Sequence, residues 1–398
     1  MKKIFMVCYG GIHARMIKNV YEELVKEKEL EVKIFALTEG QKFLSSLNIP
    51  YMSMEKYHEI IKEKEIEELG KKIIKELKLN FNDKESILYY GYSFKELIKK
   101  YGKEKAIEGY LKFGRRCFLP IEFMKKVLEY ENSNMIVTTN SPRMEKAALL
   151  AAKEKKIFSV SIEHLFGKED NISLKLMKYF QEKKYISTFG EKILVPFKLT
   201  KQNLLKNNNL KYEDIIITGN PYFDLLYSHK IRKISINPKY KKLLFLSQPL
   251  KNQEKYIEEM LRILKRNKEY FLILKFHPNE DIFQYKEIYK KYIDIKKRIL
   301  MVKDKYSSYD CIENSDYIIS RNSSTLIEAN LLGKMIIGEI NENYSIKELN
   351  IGIEYNSYVE IEHCIKYLEK NYYKIYMIEK NCNASLKIKK EILHYLKI

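Results

Sequence analysis

Short apolar runs alternate with helically spaced segments along almost the whole chain, and they do so in two passes. Lys3–Val7, Glu31–Ala36, Met135–Thr139, Phe158–Ile162 and Lys192–Val195 read as strands of the first pass, with Ile49–Ser53 as a candidate third in chain order. Leu243–Ser247, Tyr270–Phe276, Ile299–Val302, Tyr317–Ser320 and Met335–Gly338 form the second pass. Between them lie amphipathic stretches such as Ala14–Lys28 and Gln253–Arg266. Regular alternation of this kind implies an α/β fold with two doubly wound parallel sheets, because parallel neighbours need helical crossovers. A chain of 398 residues is long enough for each sheet to bury its own core.

The boundaries follow from where the alternation stops. Residues 1–230 form a first domain, interrupted over about 55–130 by a charged, helical excursion suited to acceptor recognition. Residues 238–375 form the second, and 376–398 a C-terminal helix. Ser141 is expected to N-cap the helix Lys146–Lys155, with Pro142 in its first turn, and Gly333 to end the helix Leu326–Leu332.

Composition removes several classes. No window approaches the roughly 18 consecutive apolar residues of a membrane span, and the opening Met1–Cys8 reads as a strand rather than a leader, so a cytoplasmic protein is expected. Five scattered cysteines without a CxxC indicate neither zinc nor disulfides. The net charge of +20 comes mostly from lysines in mixed-sign stretches, and no nucleic-acid-reading motif accompanies it. A nucleic-acid partner is therefore not expected. Such a surface does favour anionic substrates and is compatible with peripheral contact to an anionic inner membrane face.

Chemistry-bearing residues gather where strands end, which is where parallel α/β sheets bind ligands. Leu272–Asn279 is an apolar run ending in His277-Pro278. Ser315–Glu328 ends its strand in Arg321-Asn322-Ser323-Ser324-Thr325 and opens a helix that carries Glu328. Hydroxyls and N–H groups at a helix start, with an imidazole nearby, suit a nucleotide phosphate. His277, Asn322, Ser323, Ser324 and Thr325 are the expected donor-site residues, with Gln248 beside them and Glu328 toward ribose hydroxyls. In the first domain, His13 follows Gly10-Gly11 directly after the first strand, and Glu163-His164 leave another strand end together. Glu163 and His13 rank first as the group acting on an acceptor hydroxyl, with Glu39 in Thr38-Glu39-Gly40 behind them. Gly11, Arg143 and His164 complete the acceptor side, Arg143 for an anionic acceptor. No Asp-x-Asp follows a strand, and Glu169-Asp170 and Glu280-Asp281 lack the spacing to share an ion, so neither a metal nor a cofactor is expected.

Two motifs carry a resemblance. Ile215-Ile-Ile-Thr-Gly-Asn-Pro-Tyr-Phe-Asp224 resembles a junction found in bacterial GT-B glycosyltransferases and UDP-N-acetylglucosamine 2-epimerases. Lys275-Phe-His-Pro278 with Ser323-Ser324-Thr325 is similar to CDP-glycerol glycerophosphotransferases, polysialyltransferases and Kdo transferases, in which His-Pro and a later Ser/Thr pair hold a cytidine nucleotide. The resemblance implies a GT-B fold, two Rossmann-like domains facing a cleft, and transfer of a sugar or phosphopolyol, which the lack of an Asp-x-Asp makes metal-independent in expectation. The implied donor is a CMP- or CDP-linked sugar and the implied acceptor a growing, saccharide or lipid-linked, surface glycan. A UDP-sugar transferase, a 2-epimerase and a silent nucleotide-sugar-binding subunit are the alternatives. Against the epimerase stand Gly10–Ala14 in place of its Gly-Thr-Arg-Pro-Glu loop, Asn140 in place of an Asp, and one carboxylate, Glu328, where its late loop has two.

Overall fold

A computed structural model describes residues 1–167, 171–181, 189–207, 210–228, 230–321, 323–340 and 345–398. The chain folds into two compact units: Met1–Asp224 with Asn381–Ile398, and Leu225–Lys380. Each contains a six-stranded sheet whose strand pairs are all parallel.

In the first unit the strands are β1 (Lys2–Cys8), β2 (Leu30–Ala36), β3 (Met135–Thr139), β4 (Phe158–Ile162), β5 (Lys192–Val195) and β6 (Ile215–Ile217), in the spatial order β2-β1-β3-β4-β5-β6. The central strands are apolar without alternation because helices cover both faces; all of Met135–Thr139 is buried. The expected strand Ile49–Ser53 is reduced to a single bridge, Met52 to Phe35, with Met52 N–H donating to Ile34 O at 2.8 Å. Pro50 within that segment lacks the N–H a continuous ladder would use. β6 escapes sequence reading because three isoleucines carry no periodicity of their own.

The second unit has β7 (Lys241–Leu246), β8 (Tyr270–Lys275), β9 (Ile299–Val302), β10 (Tyr317–Ser320), β11 (Met335–Glu339) and β12 (Ile353–Tyr355), in the order β12-β11-β10-β7-β8-β9. Counting the Met52 bridge as an edge strand, the two sheets have the same winding. The direction of winding reverses between β1 and β3 in one unit and between β7 and β10 in the other. Such switch points leave a crevice at the carboxyl ends of the strands. β12, a short edge strand, has no counterpart among the strands expected from sequence.

The helical excursion is present as Met54–Ile61, Glu65–Glu76, Lys84–Tyr101, Lys103–Phe113 and Ile121–Glu131. Two of these helices touch through glycines: a Cβ on Gly70 would lie 2.1 Å from Ile87 O, and one on Gly91 2.2 Å from Ile66 O. Their aromatic core (Tyr89, Tyr90, Phe94, Phe118, Phe123) is continuous with Phe5 and Phe35 of the sheet.

The Thr218–Asp224 motif has a mechanical role. Gly219 takes φ 94°, and a Cβ there would come within 2.6 Å of Asn381 O, so only glycine lets the returning chain pass. Asp224 then accepts from Ala384 N–H (2.7 Å), Ser385 N–H (2.9 Å) and Ser385 Oγ (2.7 Å), capping the last helix, Ala384–Leu396. That helix buries Ile388, Ile392 and Leu396 in the core of the first unit. Among the described residues no helix is long and apolar enough to cross a membrane.

Candidate functional site

In the first unit three strand exits converge. β1 leads through Tyr9 and Gly10 into the helix Gly11–Leu24, Gly11 being exposed with φ 59°, which places His13 in the first turn. β3 leads to Asn140–Arg143, and β4 to Glu163-His164. The rings of His13 and His164 meet edge to face at 5.1 Å. Glu163 is almost fully buried and engages both its oxygens. Oε2 accepts from Asn140 Nδ2 at 2.6 Å, while Oε1 accepts from His164 N–H at 2.9 Å and lies 3.4 Å from His164 Nδ1. Asn220 of the Thr218–Asp224 motif donates to His164 O at 2.7 Å and fixes that loop from behind.

The electrostatics separate the partners. Burial is the largest influence on the Glu163 carboxyl and pushes its pKa up, but the hydrogen bonds and charge of His164 and the Asn140 amide outweigh it, leaving the group below the usual carboxylate range and ionised. Burial, followed by His164, pushes His13 down to about 3, so its imidazole is neutral. An ionised carboxylate 3.4 Å from one imidazole nitrogen, with a second, neutral imidazole against that ring, is an arrangement for moving a proton.

The same end of the sheet carries an aromatic–cation group that sequence reading missed apart from Arg143. The Arg143 guanidinium lies 4.0 Å from the centre of the Tyr9 ring, and Arg115 Nη1 donates to Tyr9 Oη at 2.8 Å. Tyr9 N–H donates to Glu145 Oε1 at 2.8 Å, and burial raises the Glu145 carboxyl to about 7. Arg143 does not follow an N-cap serine as expected. It precedes the helix Met144–Lys155 at φ 80°, a conformation costly for any residue but glycine, while Ser141 Oγ donates to Pro142 O. Arg115 comes from the helical excursion, over a hundred positions from Tyr9, so no local pattern could reveal it. Glu39 stands in the first turn of the helix Thr38–Ser46 with its side chain 66% exposed and paired to Lys42 at 2.7 Å.

In the second unit the exits of β7, β8 and β10 carry the expected donor residues. Glu280, whose spacing to Asp281 does not suit a shared ion, organises them. It accepts from Ser247 Oγ (2.6 Å), Tyr285 Oη (2.9 Å) and His277 N–H (2.8 Å), which folds the His277-Pro278-Asn279 loop back onto β7. His277 Nδ1 accepts from Asn279 N–H at 3.1 Å, so the proton of a neutral His277 ring is on Nε2, the nitrogen left to face outward. β7 lies between β8 and β10, so His277 and Ser323 leave on either side of Ser247. Ser323 Oγ accepts from Thr325 N–H at 3.2 Å, Ser324 is exposed, and Thr325 begins a helix in which Glu328 is buried. Gln248 follows Ser247, half-buried. Arg321 is tied to Glu339 at 2.9 Å and stacks 4.1 Å from the Tyr256 ring centre, bracing the β10 exit. Asn322, Glu169 and Asp170 lie outside the described residues. Among the described residues no group of three or more His, Cys, Asp or Glu side chains is placed to hold a metal ion.

Two Rossmann-like units, each wound outward from a switch point with polar strand exits, define the GT-B fold. Solved structures similar to the chain bear this out. They include a Staphylococcus aureus MnaA–UDP co-structure (TM-score 0.59, 16% identity, 100% of this chain and 97% of that one). A putative UDP-N-acetylglucosamine 2-epimerase from Listeria monocytogenes matches with TM-score 0.62 and 13% identity over 100% and 97%. Acinetobacter baumannii MurG matches with TM-score 0.58 and 11% identity over 99% and 100%. No protein-family model matches the chain, and no curated protein matches it in sequence.

Proposed function

We propose that the protein is a nucleotide-sugar-dependent transferase of GT-B build, moving a sugar or phosphopolyol onto a surface-glycan acceptor. The observation that carries this reading is the Glu163–His164 pair. Both Glu163 oxygens accept hydrogen bonds, so the group left to meet an acceptor hydroxyl is the His164 ring, whose Nδ1 lies 3.4 Å from Glu163 Oε1 and which is flanked by neutral His13. In the reaction, the acceptor oxygen attacks the anomeric carbon (or phosphorus) of the donor as its proton passes to His164. The bond to the nucleotide phosphate breaks, and the charge left on that phosphate is met by His277 and the hydroxyls of Ser323 and Thr325. Glu163 stabilises the imidazolium formed on His164. Gln248, Ser324 and Glu328 belong to the donor side of this reading. A CMP- or CDP-linked donor is the favoured class, on the Ser323-Ser324-Thr325 resemblance.

The test is thermal stabilisation of the protein by CMP, CDP, UMP, UDP and GDP, with His277→Ala in parallel, since a ligand of the native state alone raises stability by mass action. A shift with CMP or CDP that vanishes in His277→Ala supports a cytidine donor. A shift with UDP alone moves the donor to the UDP series, and no shift with any nucleotide overturns the reading. The full-length likeness to 2-epimerases favours a second reading, in which Glu163 acts at C2 of a UDP-sugar. Incubation with UDP-N-acetylglucosamine and no acceptor, followed by NMR, separates the two: formation of the C2 epimer would establish an epimerase.

A further inference from the structure

We propose that the site in the first unit is built for a ligand ending in an oxyanion, a carboxylate or a phosphate monoester, gripped by Arg143 and Arg115 around Tyr9. This deepens the transferase reading and rests on it for the identity of the ligand as acceptor.

The argument starts from unused donors. Each guanidinium offers five N–H groups in a planar fork. Arg115 spends two on Tyr9 Oη (2.8 Å) and Tyr90 Oη (3.2 Å), while Phe81 under its plane at 4.7 Å holds it in place. Arg143 rests on the Tyr9 ring face, and its buried Nε has no hydrogen-bond partner. Among the described residues neither forms an ion pair. Of the nearby carboxylates, Glu163 is committed to Asn140 and His164, while Glu145 accepts from Tyr9 N–H through Oε1 and keeps a buried Oε2 that, like Arg143 Nε, has no hydrogen-bond partner. His13 Nδ1 and Tyr89 Oη are also buried without partners. Unpaired polar groups at this density cost stability unless something fills them. Burial raises the Glu145 carboxyl to about 7, so it offsets at most one of the two guanidinium charges, and the partner still missing is an anion.

Residue choice points the same way. Lysine supplies most of the 73 basic residues of this chain, yet arginine stands at both positions flanking Tyr9. A planar fork binds carboxylate and phosphate with two parallel hydrogen bonds, which an ammonium cannot do. The left-handed backbone at Arg143 (φ 80°) holds one fork in place, and the helical excursion supplies the other.

The test uses the full chain at fixed ionic strength and calorimetric titration with two anionic probes, glycerol 3-phosphate and N-acetylneuraminate. Their neutral counterparts are glycerol and N-acetylmannosamine. Binding of either anion but not of its counterpart is expected, and which anion binds names the class. Arg143→Gln and Arg115→Gln should each weaken it about tenfold or more, the loss of a charge-assisted hydrogen bond. Arg→Lys variants, which keep the charge, should lose several-fold and serve where a Gln variant does not fold. Nucleotide stabilisation in the same preparations reports the donor site separately. Anions that bind no better than their neutral counterparts, or equally well to all the variants, overturn the oxyanion site and leave the donor reading standing. Arginine-dependent anion binding in a protein that no nucleotide stabilises would overturn the transferase reading and leave the oxyanion site.

Discussion

Glu163 and Glu145 are both buried carboxyls at the same end of one sheet, and their surroundings send them in opposite directions. Glu163 receives the Asn140 amide and the His164 pair and stays ionised; at Glu145 burial outweighs the backbone N–H groups and the Arg143 charge, and the carboxyl is raised to about 7. If Glu163 orients the imidazole that takes the acceptor proton, Glu163→Gln should lower kcat by about a hundredfold with KM little changed. Steady-state kinetics checks this, and nucleotide stabilisation should be unaltered. Glu145 predicts a pH effect on stability. Its folded pKa lies above the ordinary value, so the folded state holds a proton that the unfolded chain has already released. Stability from this group is full below about pH 4.5 and is lost as the pH rises through about 7. Glu145→Gln abolishes that loss. Its melting temperature relative to wild type should therefore climb between pH 4.5 and pH 8, by an amount on the order of 3 kcal/mol in free energy.

At the scale of elements, the helical excursion is held by polar ties that its amphipathic pattern does not show. Glu96, in the helix Lys84–Tyr101, accepts from Ile121 N–H and Glu122 N–H, both at 2.8 Å, and so caps the helix Ile121–Glu131 from outside. Pro120 precedes that helix and no side chain of its own caps it. Glu96→Ala should cost about 1 kcal/mol, the usual worth of a cap, and should accelerate amide exchange at Ile121 and Glu122 before other helices. The helix boundaries themselves were legible where an amphipathic stripe ran uninterrupted, as in Gln253–Arg266, which the structure reproduces residue for residue. They were not legible where a special backbone intervened. Ser141 has the chemistry of an N-cap, but the turn at Arg143 moves the helix start past its reach.

For the whole molecule, the chain crosses from the first unit to the second near Asp224 and returns near Asn381. The last helix therefore belongs to the core of the first unit, and Asp224 is the residue that caps it. Removing residues 381–398 exposes the surface that Ile388, Ile392 and Leu396 cover and should unfold the first unit. The prediction is loss of the more N-terminal amide protection in hydrogen exchange, with protection across Leu225–Lys380 retained; Asp224→Ala should show the same pattern more weakly. The sequence by itself determined the strand–helix alternation, the two parallel sheets and the residues at their strand exits, because periodicity and strand ends are local properties. His13, Glu163, His164 and His277 could be named for that reason alone. Only the tertiary structure decided what each of them touches. The Glu280 tie to Ser247, the Asn140 amide on Glu163 and the Arg115 hydrogen bond to Tyr9 join positions brought together by sheet order and long crossovers. Such contacts leave no spacing in a single sequence, since a hydrogen bond between distant residues is fixed by packing and not by separation along the chain.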